Sequence, residues 1–175
     1  MSNVNRSLTI LPYIILPLAL LLMTSPFMFF WAPEGFAFIE HDLLKQYGGT
    51  DQLLMWQKIL GFFVTCLPAA FLLWALSYLM RLVNALKAGL WFDEQSEALC
   101  RSFGRALLWY VGTEIIHRTL LVLVLTATYP PGQHELHLSF SNNDLMALVP
   151  AIFAMIFAHL VSLGRAQRDE LKQII

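Results

Sequence analysis

The chain has 175 residues, 58% of them hydrophobic and 13% charged, with a formal net charge of -1 and a mean hydropathy of +0.62. A soluble domain carries about 25% charged residues, and a single small core cannot hide so many apolar side chains, whereas a bilayer accepts them directly. The near-neutral charge excludes an electrostatic case for direct nucleic-acid binding, and the two cysteines, Cys66 in an apolar run and Cys100 in a charged linker, argue against a structural disulfide.

Four apolar stretches follow in chain order, at about 8–31, 59–80, 106–129 and 145–163. Each is close to the roughly 20 residues that a helix needs to cross a hydrocarbon core of about 30 Å. The first contains Pro12, Pro17 and Pro26, which transmembrane helices tolerate. Arg6 before an apolar run also fits a signal peptide, but the run exceeds the usual core length and no clear cleavage site follows. A loop with Glu40, His41, Asp42 and Lys45 comes next, and Gly35 to Ile39 within it has some strand character. The second stretch carries no charge.

The central linker predicts a helical hairpin. The second helix runs on through Arg81, Asn84 and Lys87 until Gly89, a residue that takes the left-handed conformation without strain. Asp93 then stands where a carboxylate can cap a new helix. Glu94 and Glu97 suit the positive end of its dipole, and Leu99, Phe103 and Leu107 recur on one face. The third stretch holds Glu114, His117 and Arg118. In the next loop Leu136, Leu138 and Phe140 alternate with His137 and Ser139, a period-two pattern that could pair with the earlier strand-like segment. The fourth stretch carries His159 and runs into a charged tail with Arg165, Arg168 and Lys172.

Lysine and arginine set the orientation. Arg6, the linker (Arg81, Lys87, Arg101, Arg105) and the tail are basic, whereas the loop from Pro130 to Asp144 has no Lys or Arg. This predicts a multi-pass protein of a bacterial inner membrane with both termini and the linker in the cytoplasm. The predicted fold is an all-α, integral membrane four-helix bundle in a single domain, with a cytoplasmic helical hairpin between spans two and three.

The Gly89-Leu90-Trp91-Phe92-Asp93-Glu94 segment and the tail from Gly164 to Ile175 resemble a known group, the bacterial four-span membrane proteins called domain of unknown function 2975. Gly89, Phe92 and Asp93 match that family's linker motif of a glycine, two residues, a phenylalanine and a helix-capping residue. The tail, Arg168-Asp169-Glu170-Leu171, departs from the family's commonest acidic–asparagine pattern. The resemblance implies the four-span fold and a regulatory setting, because members are often encoded beside small helix-turn-helix regulators. It implies no established activity.

Ionisable groups inside a span cost roughly 2.5–3.5 kcal/mol each and mark functional sites by default. Glu114 and Arg118, four residues apart, share a helix face and can pair. Counted along the helices at about 1.5 Å per residue, Glu114 and His159 both fall in the cytoplasmic half. That predicts one intramembrane cluster of Glu114, His117, Arg118 and His159. The cluster reads either as structural packing or as a proton- or ligand-responsive site. His134, His137 and His41 are candidate metal ligands, because imidazole suits zinc or nickel. Ala154, Ala158 and Ser162 form a small-residue stripe for helix packing, within the bundle or between copies. Trp31, Trp56 and Trp109 read as interface anchors.

No catalytic motif, phosphate-binding glycine loop or cofactor box is found. The expected function is therefore a non-enzymatic accessory or regulatory protein without cofactors. It would contact membrane lipid and a cytoplasmic regulatory protein docked on Arg81, Lys87, Arg101 and Arg105. The competing expectation is a small homo-oligomeric transporter or channel that uses the polar cluster.

Overall fold

The computed structural model describes residues 2–31, 53–128 and 142–174. They form four α-helices: α1 (Ser2–Trp31), α2 (Met55–Lys87), α3 (Glu94–Thr126) and α4 (Asn142–Ile174). Each contains a segment long and apolar enough to cross a membrane, and mean hydropathy is lowest for α3, 1.4 against 2.1–2.2 for the others. Glu114, His117 and Arg118 account for that difference. There is no strand among the described residues. The expected pairing of Gly35–Ile39 with Glu135–Phe140 lies outside them.

The third helix is the centre of the packing, with α2 on one side and α4 on the other, while α1 lies mainly on α2. Successive contacts run antiparallel. Ala75 of α2 meets Ala106 and Leu107 of α3, and nearer the α2–α3 turn Leu82 meets Cys100. On the other side, Ala151 and Ala158 of α4 join those same two clusters. The α3–α4 seam is made by small residues. A Cβ added to Gly104 would come within 2.9 Å of Met155 Cγ and 3.3 Å of the Ala151 carbonyl oxygen. Ala151, Ala154 and Ala158 are all buried there. The small-residue stripe of α4 therefore serves packing within the chain, where short side chains let backbones approach closely.

One aromatic ring anchors α1. Phe30 is 1% exposed. It packs against Leu121 and Leu125 of α3 and lies over Gly61 of α2, where a Cβ would stand 2.5 Å from the ring. Apart from buried Ile15, many large apolar side chains of α1 face outward, such as Tyr13 and Met23. Its three prolines lie inside one continuous helix.

The α2–α3 turn follows the expected chemistry. Gly89 has a φ of 83°. Its N–H donates to the Leu86 carbonyl and that of Leu90 to the Ala85 carbonyl, both at 3.1 Å. This is the Schellman pattern, which satisfies carbonyls left over at a helix end. Asp93 occupies the N-cap of α3 in an extended conformation, but its side chain makes no capping hydrogen bond. The expected carboxylate cap is thus not made; instead the hydroxyl of buried Ser96 donates to the Leu90 carbonyl and ties the turn to α3.

The far ends of α2 and α3 are joined by Gln57, which is 2% exposed. Its Nε2 donates to the Val124 and Leu125 carbonyls at 3.0 and 3.4 Å. Its Oε1 accepts from the Leu54 N–H at 3.0 Å. Those carbonyls belong to the last turn of α3 and that N–H to the first turn of α2, where no intrahelical partner exists. Gln57→Met is expected to lower unfolding free energy in detergent by about 1–2 kcal/mol, since it removes hydrogen bonds from a site closed to water. Thermal unfolding followed by circular dichroism measures it. A transition unchanged from wild type would refute the role.

Candidate functional site

Three of the four expected cluster residues lie together on α3. Arg118 Nη2 is 3.7 Å from Glu114 Oε1, and His117 Nδ1 is 3.9 Å from that same oxygen. His117 and Arg118 are 3% and 9% exposed, so the charge sits inside the helix packing. Both contacts exceed hydrogen-bonding distance. That of Arg118 with Glu114 acts through charge, which is poorly screened away from water.

A hydrogen-bond relay fixes the histidine. Thr65 of α2 donates from its hydroxyl to the Gly61 carbonyl at 2.9 Å. Its oxygen is therefore available to accept from His117 Nε2, 3.2 Å away. With the Thr65 proton on the Gly61 carbonyl, the Nε2–H of His117 is the donor in this contact. His117 Nδ1 has no hydrogen-bond partner among the described residues. The arrangement gathers a carboxylate, an imidazole and a guanidinium on one face of α3, with Arg118 opposite the Glu114 carboxylate. Thr65 is the member that sequence reasoning missed. Its signal is a hydroxyl in an otherwise apolar helix, visible only once α3 is placed opposite.

The fourth expected member is elsewhere. His159 is exposed, and its neighbour Ala158 packs at the level of Cys100. Cys100 is fourteen residues from Glu114 along α3, roughly 21 Å at the rise of an α-helix. Measured along α2, the cluster lies farther from the turn-side end of the apolar run than along α3, where His117 is eleven residues from Ala106. Thr65, which meets His117, is six residues from Ile59 but fifteen from Met80. The physical reason is register: which levels of two antiparallel helices meet is set by the Gly104 and Ala106 seams, not by where hydropathy begins.

A cavity of about 520 Å³ between α2, α3 and α4 is separate from the cluster. Leu79, Cys100, Phe103 and Phe153 are among its walls, and no cluster residue lines it. His41, His134 and His137 lie outside the described residues. Among the described residues no three His, Cys, Asp or Glu side chains group as metal ligands.

At the turn end the four expected docking cations are divided. Arg101 is bound to Glu97 of its own helix at 2.8 Å. Arg81 lies over the Tyr78 ring, 5.9 Å from its centroid. Lys87 and Arg105 are exposed. Of the linker motif, Gly89 makes the turn and Phe92 packs against the tail. Its ring would be 2.7 Å from a Cβ at Gly164. Beside it, Arg165 reaches Glu94 at 3.3 Å and Glu97 at 4.0 Å. The α4 tail and the turn thus form one continuous surface, on which Leu90 and Trp91 stay exposed.

No protein-family model, curated protein or solved structure matches this chain.

The ion contacts of the cluster predict non-additive mutants. Glu114→Leu and Arg118→Leu each strand a charge, whereas the double variant removes both. The double variant is expected to be closer to wild type than the sum of the singles, with a coupling of about 1 kcal/mol or more. Unfolding midpoints of the four proteins in one detergent give the value. Strict additivity would mean that the two side chains do not interact.

Proposed function

We propose that this chain is a multi-pass inner-membrane accessory or regulatory protein, acting through a protein partner on the cytoplasmic surface made by the α2–α3 turn and the α4 tail. One observation carries the reading: Phe92 against Gly164 and Arg165 on Glu94 hold turn and tail as a unit, while Leu90 and Trp91 remain uncovered. Exposed apolar and aromatic side chains among charges are the usual core of a protein-binding site. Lys87, Glu94 and Arg168 supply the surrounding charge. The cytoplasmic side follows from the lysine and arginine bias, and the resemblance to domain of unknown function 2975 adds a regulatory setting.

The transporter reading has less support. His117 and Arg118 of the cluster are buried, and Val111, Leu107 and Ala106, between it and the turn, are buried and apolar. The stripe that would join copies, Ala154 and Ala158, is occupied by α3.

Orientation is tested with single cysteines in a background lacking Cys66 and Cys100. A cysteine at Gln95 should react with an impermeant maleimide only after the membrane is opened, and one at Gln133 should react in intact cells. The reverse pattern would overturn the orientation.

Partner binding is tested by affinity purification from native membranes in mild detergent with a C-terminal tag. A specific protein should be recovered with wild type and be lost with Leu90→Ser/Trp91→Ser, whose labelling topology is unchanged. Recovery of the chain alone, or only with copies of itself, would count against the proposal.

A further inference from the structure

The α2 and α3 helices share an aromatic face that none of the functions above uses. Phe71 of α2 stacks on Trp109 of α3 at 6.2 Å. Phe71 also touches Trp74 at 6.1 Å, and Trp74 touches Tyr78 at 5.6 Å. The rings are turned outward, Trp74 being 47% and Trp109 61% exposed. Such a shelf has an apolar body and polar tips.

Two arginines stand at the turn-side end of this shelf. Arg81 follows Tyr78 by three residues, and its guanidinium lies over that ring. Arg105 precedes Trp109 by four residues and so shares its helix face. Both are exposed, and neither makes an ion pair among the described residues. In contrast, the neighbouring Arg101 is neutralised by Glu97.

Their depth is specific. Arg81 is the first charge after the apolar run 59–80, and Arg105 the last before the run 106–129. Both therefore lie where the hydrocarbon meets the headgroups if the chain crosses the bilayer as proposed. Side chains on a helix lean toward its N-terminus. In antiparallel helices this tilts Arg81 away from the turn and Arg105 toward it, and so brings the two cations nearer one level.

We infer that this face binds an anionic phospholipid, its phosphate held between Arg81 and Arg105 and an acyl chain lying along Tyr78, Trp74, Phe71 and Trp109. Charge complementarity selects this occupant. A basic pair at the cytoplasmic boundary of two transmembrane helices attracts anionic headgroups, and guanidinium matches phosphate geometry. A zwitterionic lipid offers the same phosphate but sets an ammonium beside it that opposes the pair, and a second copy would bring the same two positive charges against it. The inference rests on the membrane reading, but not on the protein partner.

The test uses the full chain with Trp31, Trp56 and Trp91 changed to Phe, so that Trp74 and Trp109 report. It is reconstituted in bilayers of dibrominated phosphatidylcholine, which quenches tryptophan. Plain phosphatidylglycerol or plain phosphatidylcholine is then titrated in. Phosphatidylglycerol should relieve quenching with roughly thirtyfold preference over phosphatidylcholine, the effect expected of two cations near the surface at about 1 kcal/mol each. Arg81→Gln/Arg105→Gln should reduce that preference to about onefold, with helix content by circular dichroism unchanged. Lys87→Gln/Arg101→Gln should leave it intact.

Equal relief by both lipids, or a preference that survives Arg81→Gln/Arg105→Gln, would overturn the inference. So would Trp74 and Trp109 that are not quenched while the full set of tryptophans is, since protein would then cover the face. Absence of quenching at every tryptophan of the wild-type chain would instead remove the membrane reading on which the inference depends.

Discussion

Close approach of α3 to two neighbours at once is the constraint on which the rest of this fold depends. Gly104, Ala106, Ala151 and Ala158 leave no bulk between backbones. In lipid, helices do not gain from burying apolar surface, because the surroundings are equally apolar. Association must come from contact at short range and from hydrogen bonds. Small residues provide the first of these and, once in contact, set the register. From that register follow the meeting of Thr65 with His117, the seating of Phe30 on Gly61, and the reach of Gln57 to the end of α3.

Polar groups inside the packing are handled in two ways. Gln57, Ser96 and Thr113 bind backbone carbonyls, the last within its own helix turn. Those of Gln57 and Ser96 tie ends and turns, where a helix leaves backbone groups without partners. Glu114, His117 and Arg118 are different, since each brings a charge or a titratable group to a place with little water. Together they balance charge, and the Thr65 hydroxyl meets the imidazole from α2. The result is a polar knot in the half of the packing away from the turn.

The turn end has the opposite character. Its contacts are an aromatic ring on a glycine and ion pairs exposed to solvent, and exposed pairs contribute roughly 0–1 kcal/mol each. Phe92 on Gly164 therefore does more to seat the α4 tail than Arg165 on Glu94. A surface held this way can shift without disturbing the α3 seams. That suits a site which meets other molecules, whereas the polar knot suits one that keeps its geometry.

The sequence alone determined the four apolar helices, the glycine that ends α2, the start of α3 near Asp93 and the pairing of Glu114 with Arg118. Each of these depends on composition or on spacing within one helix, and such local rules can be read along a line. It did not determine what lies opposite what. His159 has the residue type and approximate depth for the cluster, yet it lies on the outer side of α4 near the turn, because the Gly104 seam sets that helix lower against α3. Thr65 and Gln57 look unremarkable in an apolar run and acquire partners only when α2 meets α3. The sorting of Arg81, Lys87, Arg101 and Arg105 into separate surroundings is tertiary for the same reason. A helix periodicity places a side chain on a face, but only packing decides whether that face meets a carboxylate, an aromatic ring or the surroundings of the chain.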